Sequence, residues 1–122
     1  MNRSQPLAVV IRIPDVALSR SDLDMSLKLE VDRYELSSGL AYAQIDNGDH
    51  EDQWVALLDL FRSIGAAIPG LVSKGQIGRP TLDVAVLFPD SLVSRYLTIP
   101  ADVVAAAGEA GMGIEVSVYR SE

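Results

Sequence analysis

Apolar residues recur with helical spacing most clearly between Glu51 and Gly65. Trp54, Leu57, Leu58, Phe61 and Ile64 stand at i, i+3, i+4, i+7 and i+10, and side chains so spaced share one helical face. Glu51, Gln53, Ala56, Asp59, Arg62 and Ser63 fill the other face. Asp49 is placed to cap the amino end, Glu51 and Asp52 suit the first turn, and Gly65 suits a left-handed stop. About fourteen such residues span roughly 21 Å, enough to cross a small sheet. The only Trp and one of the two Phe lie on this stripe. It predicts the helix that closes the core.

Period-two patterns flank it. Leu7, Val9, Ile11 and Ile13 alternate with Ala8, Val10 and Arg12, a first strand that Pro14-Asp15 ends. Ser19 or Ser21 then offers an N-cap to a short helix holding Leu23, Leu27 and Met25. Lys28–Glu35 alternates apolar with charged residues and suits an edge strand or an irregular extended segment. Ser37-Ser38-Gly39 signals a turn into a strand over Leu40–Ile45, which Asp46-Asn47-Gly48 breaks. Past Gly65, Pro69 disfavours helix at Ile68 and leaves a turn or half-turn over Leu71–Ser73.

Thr81–Phe88 predicts another strand, with Leu82, Val84, Val86 and Phe88 on one face. Thr81, Asp83, Ala85 and Leu87 make the other face mixed, as in a central strand with one side partly wet. Ser91–Leu97 has no assignable period. Pro100 opens a helix to about Ala110, with Val103, Val104 and Ala107 inward and Gly111 and Gly113 at its stop. Ile114–Tyr119 alternates as the last strand. The two longer helices each have one apolar face, and no glycine-rich phosphate loop follows a strand. The expected fold is a two-layer α+β sandwich, a mixed or mostly antiparallel sheet with helices on one face; a three-layer α/β domain is the alternative.

Composition narrows this picture. The 122 residues suit a single domain, residues 1–122, and at 48% hydrophobic they supply a normal core. The absence of cysteine excludes disulfides and thiolate chemistry and fits a cytoplasmic protein. The run Leu7–Ile13 is interrupted at Arg12 and lacks a cleavage site, so a strand is expected there and not a signal peptide. No apolar run approaches the roughly 20 residues of a membrane span.

Charge adds direction. The net charge is −7, and residues 1–61 hold eleven acidic and five basic side chains against six and five in residues 62–122. No Lys or Arg occurs between Arg33 and Arg62, while Glu35, Asp46, Asp49, Glu51, Asp52 and Asp59 all do. Such a field repels phosphate backbones and attracts basic partners, which disfavours nucleic-acid binding.

Candidate chemistry is sparse. His50, the only histidine, sits in Asp46-Asn47-Gly48-Asp49-His50-Glu51-Asp52. A metal or acid–base cluster of Asp46, Asp49, His50 and Asp52 is one reading. The other, which capping and dipole arguments favour, is a polar turn leading into an acidic first helical turn. No G-x-S-x-G elbow accompanies His50. Lys74-Gly75-Gln76-Ile77-Gly78-Arg79 holds a G-x-x-G with basic flanks, but Arg79-Pro80 leads straight into a strand, the context of a flexible loop and not of an RNA-clamping turn.

The first strand, the Ser21-Asp22-Leu23 helix start, the Trp-bearing helix and the ending Leu97-Thr98-Ile99-Pro100 with Gly113-Ile114-Glu115-Val116-Ser117-Val118-Tyr119 resemble small bacterial α+β domains. Those domains are similar to immunity proteins of contact-dependent growth inhibition and other polymorphic toxin systems. With no catalytic signature, no cofactor motif, an acidic field and no membrane span, the residues themselves suggest a non-enzymatic protein without cofactor that binds another protein and neither nucleic acid nor membrane. The resemblance implies a class of function, an immunity protein whose partner is a cognate protein toxin, and no more. It carries over no binding residues and sets no oligomeric state. Nuclease toxins must be basic to hold phosphates, and an acidic inhibitor is steered onto that surface. The expected contact is Asp46, Asp49, His50, Glu51, Asp52 and Asp59. A small-ligand or regulatory domain using the sheet face or the Gly75–Gly78 loop is the alternative, and a metal-dependent hydrolase at Asp46, Asp49, His50 and Asp52 the third reading.

Overall fold

Residue alternation and helical spacing are realised in a computed structural model that describes residues 5–45 and 52–120. Chain order is β1 (Ala8–Ile13), α1 (Arg20–Leu27), β2 (Arg33–Glu35), β3 (Leu40–Gln44), α2 (Gln53–Ile64), α3 (Ala67–Ser73), β4 (Thr81–Phe88), α4 (Ala101–Glu109) and β5 (Gly113–Arg120). The strands form one mixed sheet in the order β2-β3-β1-β4-β5. β1 pairs antiparallel with β3 and β4, and β2 with β3; β5 runs parallel to β4. A parallel pair needs a crossover, and the segment containing α4 supplies it. The helices cover one face, giving the two-layer α+β arrangement.

Side-chain alternation sorts the two faces. Val9, Ile11, Ile13, Ala41, Ala43, Leu82 and Val84 are buried under the helices with Trp54, Leu57, Phe61 and Ile64. Thr81, Asp83, Ala85 and Leu87 on the opposite face of β4 are only half-buried, the wet side that their mixed character predicts. β4 is an interior strand, paired with β1 on one side and β5 on the other, as expected, and β1 stands third of the five. α2 is wider in its burial than one stripe: Ala56 is buried and Leu60 half-buried, while Leu58 is only partly covered. α2 shares its core with the sheet and also packs beside α4, so small residues on its flank are covered too.

Four local expectations are corrected. Asp52, expected in the first turn, is the N-cap of α2: its carboxylate accepts from Trp54 N at 2.8 Å and Val55 N at 3.3 Å, while Asp49 lies outside the described residues. Gly65 is right-handed, with φ −58° and ψ −36°, and glycine is required there for another reason. A Cβ would sit 2.6 Å from the Phe61 carbonyl oxygen. α3 starts at Ala67 despite Pro69, because Pro69 lies in the first turn, where its missing N–H has no intrahelical partner to lose. Val104 is 48% exposed and Met25 76% exposed, so neither joins the core.

The segment 28–35 resolves into a held loop and a three-residue edge strand. Val31 is buried, and its backbone is fixed by two side chains of α1. Asp24 Oδ1 accepts from Val31 N at 3.0 Å, and Arg20 Nη2 donates to the Val31 carbonyl at 2.6 Å. Asp32 Oδ2 accepts from Gln44 N at 2.6 Å. Side chains take the place of ladder bonds there, and this is why the stretch has no clean period.

Candidate partner-binding surface

Of the six residues expected to meet a partner, Asp46, Asp49, His50 and Glu51 lie outside the described residues. Asp52 and Asp59 stand seven residues apart, two turns of helix and about 10 Å along the α2 axis. Asp59 is exposed on the outer side of α2, whereas Asp52 is half-buried at its N-cap.

Their local chemistry differs. Asp52 is engaged by the helix end itself. Beside its own two acceptor bonds, Gln53 N donates to Gln5 Oε1 at 2.7 Å, and Gln53 Nε2 donates to the Pro6 carbonyl at 2.8 Å. The first N–H groups of α2 are therefore satisfied by side chains, and its positive dipole end faces the Asp52 carboxylate. Asp59 is exposed and accepts from Arg62 Nη1 at 2.9 Å, an i,i+3 ion pair in water. It offers a partner a charge shared with a neighbouring cation.

The uncovered sheet face bears a second polar constellation, which the alternation of β1, β4 and β5 could have disclosed only with the strand order in hand. Arg12 of β1 donates to Glu115 Oε2 of β5 at 2.6 Å and lies 3.6 Å from Asp83 Oδ2 of β4. Ser117 Oγ donates to Asp83 Oδ1 at 2.8 Å. At the β2 edge the Arg33 guanidinium lies 5.7 Å from the Tyr42 ring centroid and pairs with Glu35. The first set pairs across β1, β4 and β5, and the second across β2 and β3. A polar face of this kind suits solvent or a wet interface.

The Lys74–Arg79 loop is pinned, which corrects the expectation of a flexible connection. Ala17 N donates to the Gln76 carbonyl at 2.9 Å, and Gly78 N donates to the Pro14 carbonyl at 2.8 Å. Ile77 is buried. A Cβ at Gly78 would meet Asp15 Oδ2 at 2.9 Å and Pro14 Cγ at 3.1 Å, so this glycine serves the close approach of two loops. A groove of about 340 Å³ opens between α2, α3 and α4, lined by Phe61, Gly65, Pro69 and Ala106 with Arg62 and Glu109 at its rim.

Among the described residues no group of three His, Asp or Glu side chains is placed to hold a metal ion. No single helix among them is long and apolar enough to cross a membrane; α2 and α3 together have the composition but bend by 55°. Compared with family models, with curated proteins and with solved structures, the chain finds no significant match.

Proposed function

We propose that this chain is a cytoplasmic immunity protein that binds a cognate basic toxin domain, a nuclease, and neutralises it by covering the active site. It acts by binding and needs no catalysis or cofactor of its own. The observation that carries the reading is the uneven charge: −6 over residues 1–61 and −1 over residues 62–122, with no Lys or Arg between Arg33 and Arg62. A basic phosphate-binding cleft is drawn to that half, with association raised by about 10 to 10³ at low salt. Asp46, Asp49, His50, Glu51, Asp52 and Asp59 form the proposed contact. The test mixes the purified chain with the product of the neighbouring gene, the candidate toxin, and follows both complex formation and cleavage of nucleic acid. Inhibition at one-to-one stoichiometry is expected. Cleavage that persists at stoichiometric excess would sink the proposal.

The α2–α3–α4 groove favours a second reading, a small-ligand-binding domain. Its volume lies at the lower end of about 300–1,000 Å³ for ligand pockets. A ligand bound there raises the melting temperature by mass action, whereas the first reading predicts such a rise only with the protein partner.

A further inference from the structure

The two edges of the sheet are built differently. β2 is three residues long and carries Arg33 and Glu35, a short and charged edge that resists pairing. β5 is eight residues long, Gly113–Arg120, and no strand among the described residues pairs with its outer side. It contains no proline and no lysine. In a parallel ladder every second residue of an edge strand turns its N–H and C=O outward, so β5 presents a row of unmatched donors and acceptors. Apolar side chains accompany that row: Val116 is 51% exposed, Val118 62% and Tyr119 54%. Ile114, on the same face as the two valines, is half-buried.

We propose that β5 is a self-association edge, pairing antiparallel with β5 of a second copy about a two-fold axis at Ser117. The axis stands perpendicular to the sheet, so the helical layers of both copies lie on one side and the ten strands form one continuous sheet. Side chains opposite one another must then point to the same face, which requires a register centred on a residue.

Centring on Ser117 sets Val116 against the second copy's Val118, and Val118 against its Val116. Four exposed valines close into one apolar cluster on the helical face. On the open face Glu115 meets Tyr119 of the second copy, and Ser117 meets Ser117. Ile114 stands opposite Arg120, whose guanidinium is held toward Asp90 of its own chain. No two like charges face each other, and cross-strand pairs of this kind are the unit that stabilises a sheet.

Charge selects the occupant. β5 belongs to the half of the chain with a net charge of −1, so two copies approach through their least repulsive sides. A strongly basic partner is drawn to the other half. The proposed toxin contact draws on none of the residues of β5, so the two proposals can fail independently.

Sedimentation of the full chain over a range of concentrations tests this, with a shift to twice the monomer mass expected. Val116→Lys with Val118→Lys places two cations on each side of the interface and should leave a folded monomer, checked by circular dichroism and cooperative unfolding. Should that variant lose its fold, Ser117→Cys carries the test alone. The chain has no other cysteine, and opposed residues of an antiparallel pair lie about 4.5–5.5 Å apart at Cα, within disulfide reach. Air oxidation should convert Ser117→Cys to a covalent dimer while Glu35→Cys on the β2 edge stays monomeric. A wild-type chain that is monomeric at every concentration overturns the proposal. So does a dimer that survives both lysines, or a monomer that instead takes up an unrelated extended peptide along β5.

Discussion

Arg12 on β1 reaches diagonally over β4 to Glu115 on β5, Nη2 to Oε2 at 2.6 Å, so that one guanidinium ties the middle of the sheet to its edge. The Arg12 side chain is 30% exposed and that of Glu115 55% exposed, and water screens much of the attraction. A double-mutant cycle with Arg12→Ala and Glu115→Ala should give a coupling of about 0.5–1 kcal/mol in urea unfolding, shrinking as salt is raised. A coupling indistinguishable from zero at low salt would show that the pair is a passive surface contact.

Trp54 is fully buried at the start of α2, against the sheet. Trp54→Ala should cost about 3–5 kcal/mol through the cavity it leaves. Chemical denaturation measures this directly. A loss below about 1 kcal/mol would mean that the surrounding core collapses into the space.

Asp52 separates capping from charge. Asp52→Ala removes the acceptor of two N–H groups and should cost about 0.5–2 kcal/mol. Asp52→Asn keeps an oxygen at the cap and deletes the charge, so the melting temperature should fall far less. If the acidic helix end steers a basic partner, Asp52→Asn slows association at low salt and leaves dissociation nearly unchanged. An unaltered association rate would remove Asp52 from the contact.

Two glycines near the α2–α3 junction should respond to alanine with opposite signs. Gly65→Ala forces a Cβ to within 2.6 Å of the Phe61 carbonyl oxygen and should destabilise by more than about 1 kcal/mol. At Gly70, inside α3, nothing lies within 4 Å of the added Cβ. Gly70→Ala should stabilise by about 0.4–1 kcal/mol, because alanine has fewer unfolded conformations to lose. Melting temperatures of the two variants that move in the same direction would contradict this.

What the sequence disclosed follows from which forces are local. The stripe of α2, the Ser19 cap and the alternation of β1, β3, β4 and β5 depend on neighbours in the chain, and these elements were legible. The Ser19 hydroxyl accepts from Asp22 N at 3.2 Å, as its residue type implies. The held loop at Val31 was not legible, because its fixing groups, Asp24 and Arg20, lie on a helix and look like solvated charges. Pro69 misled because its meaning depends on where α3 begins. Of the candidate contact, Asp59 is where helical spacing puts it, on the outer side of α2. Asp52 serves the helix end as well, a role that depends on which acidic residue the chain selects as cap.

The strand made first is the strand that ends in the middle. As the chain emerges from the ribosome, β1 finds its first neighbour, β3, some thirty residues later, but its other side stays open until Thr81–Phe88 has been made. Val9, Ile11 and Ile13 need both flanks and the cover of α2 before water is excluded from them. Assembly of this sheet is therefore late and nearly all-or-none during synthesis, and a chain halted before β4 would present an unfinished, adhesive edge to chaperones.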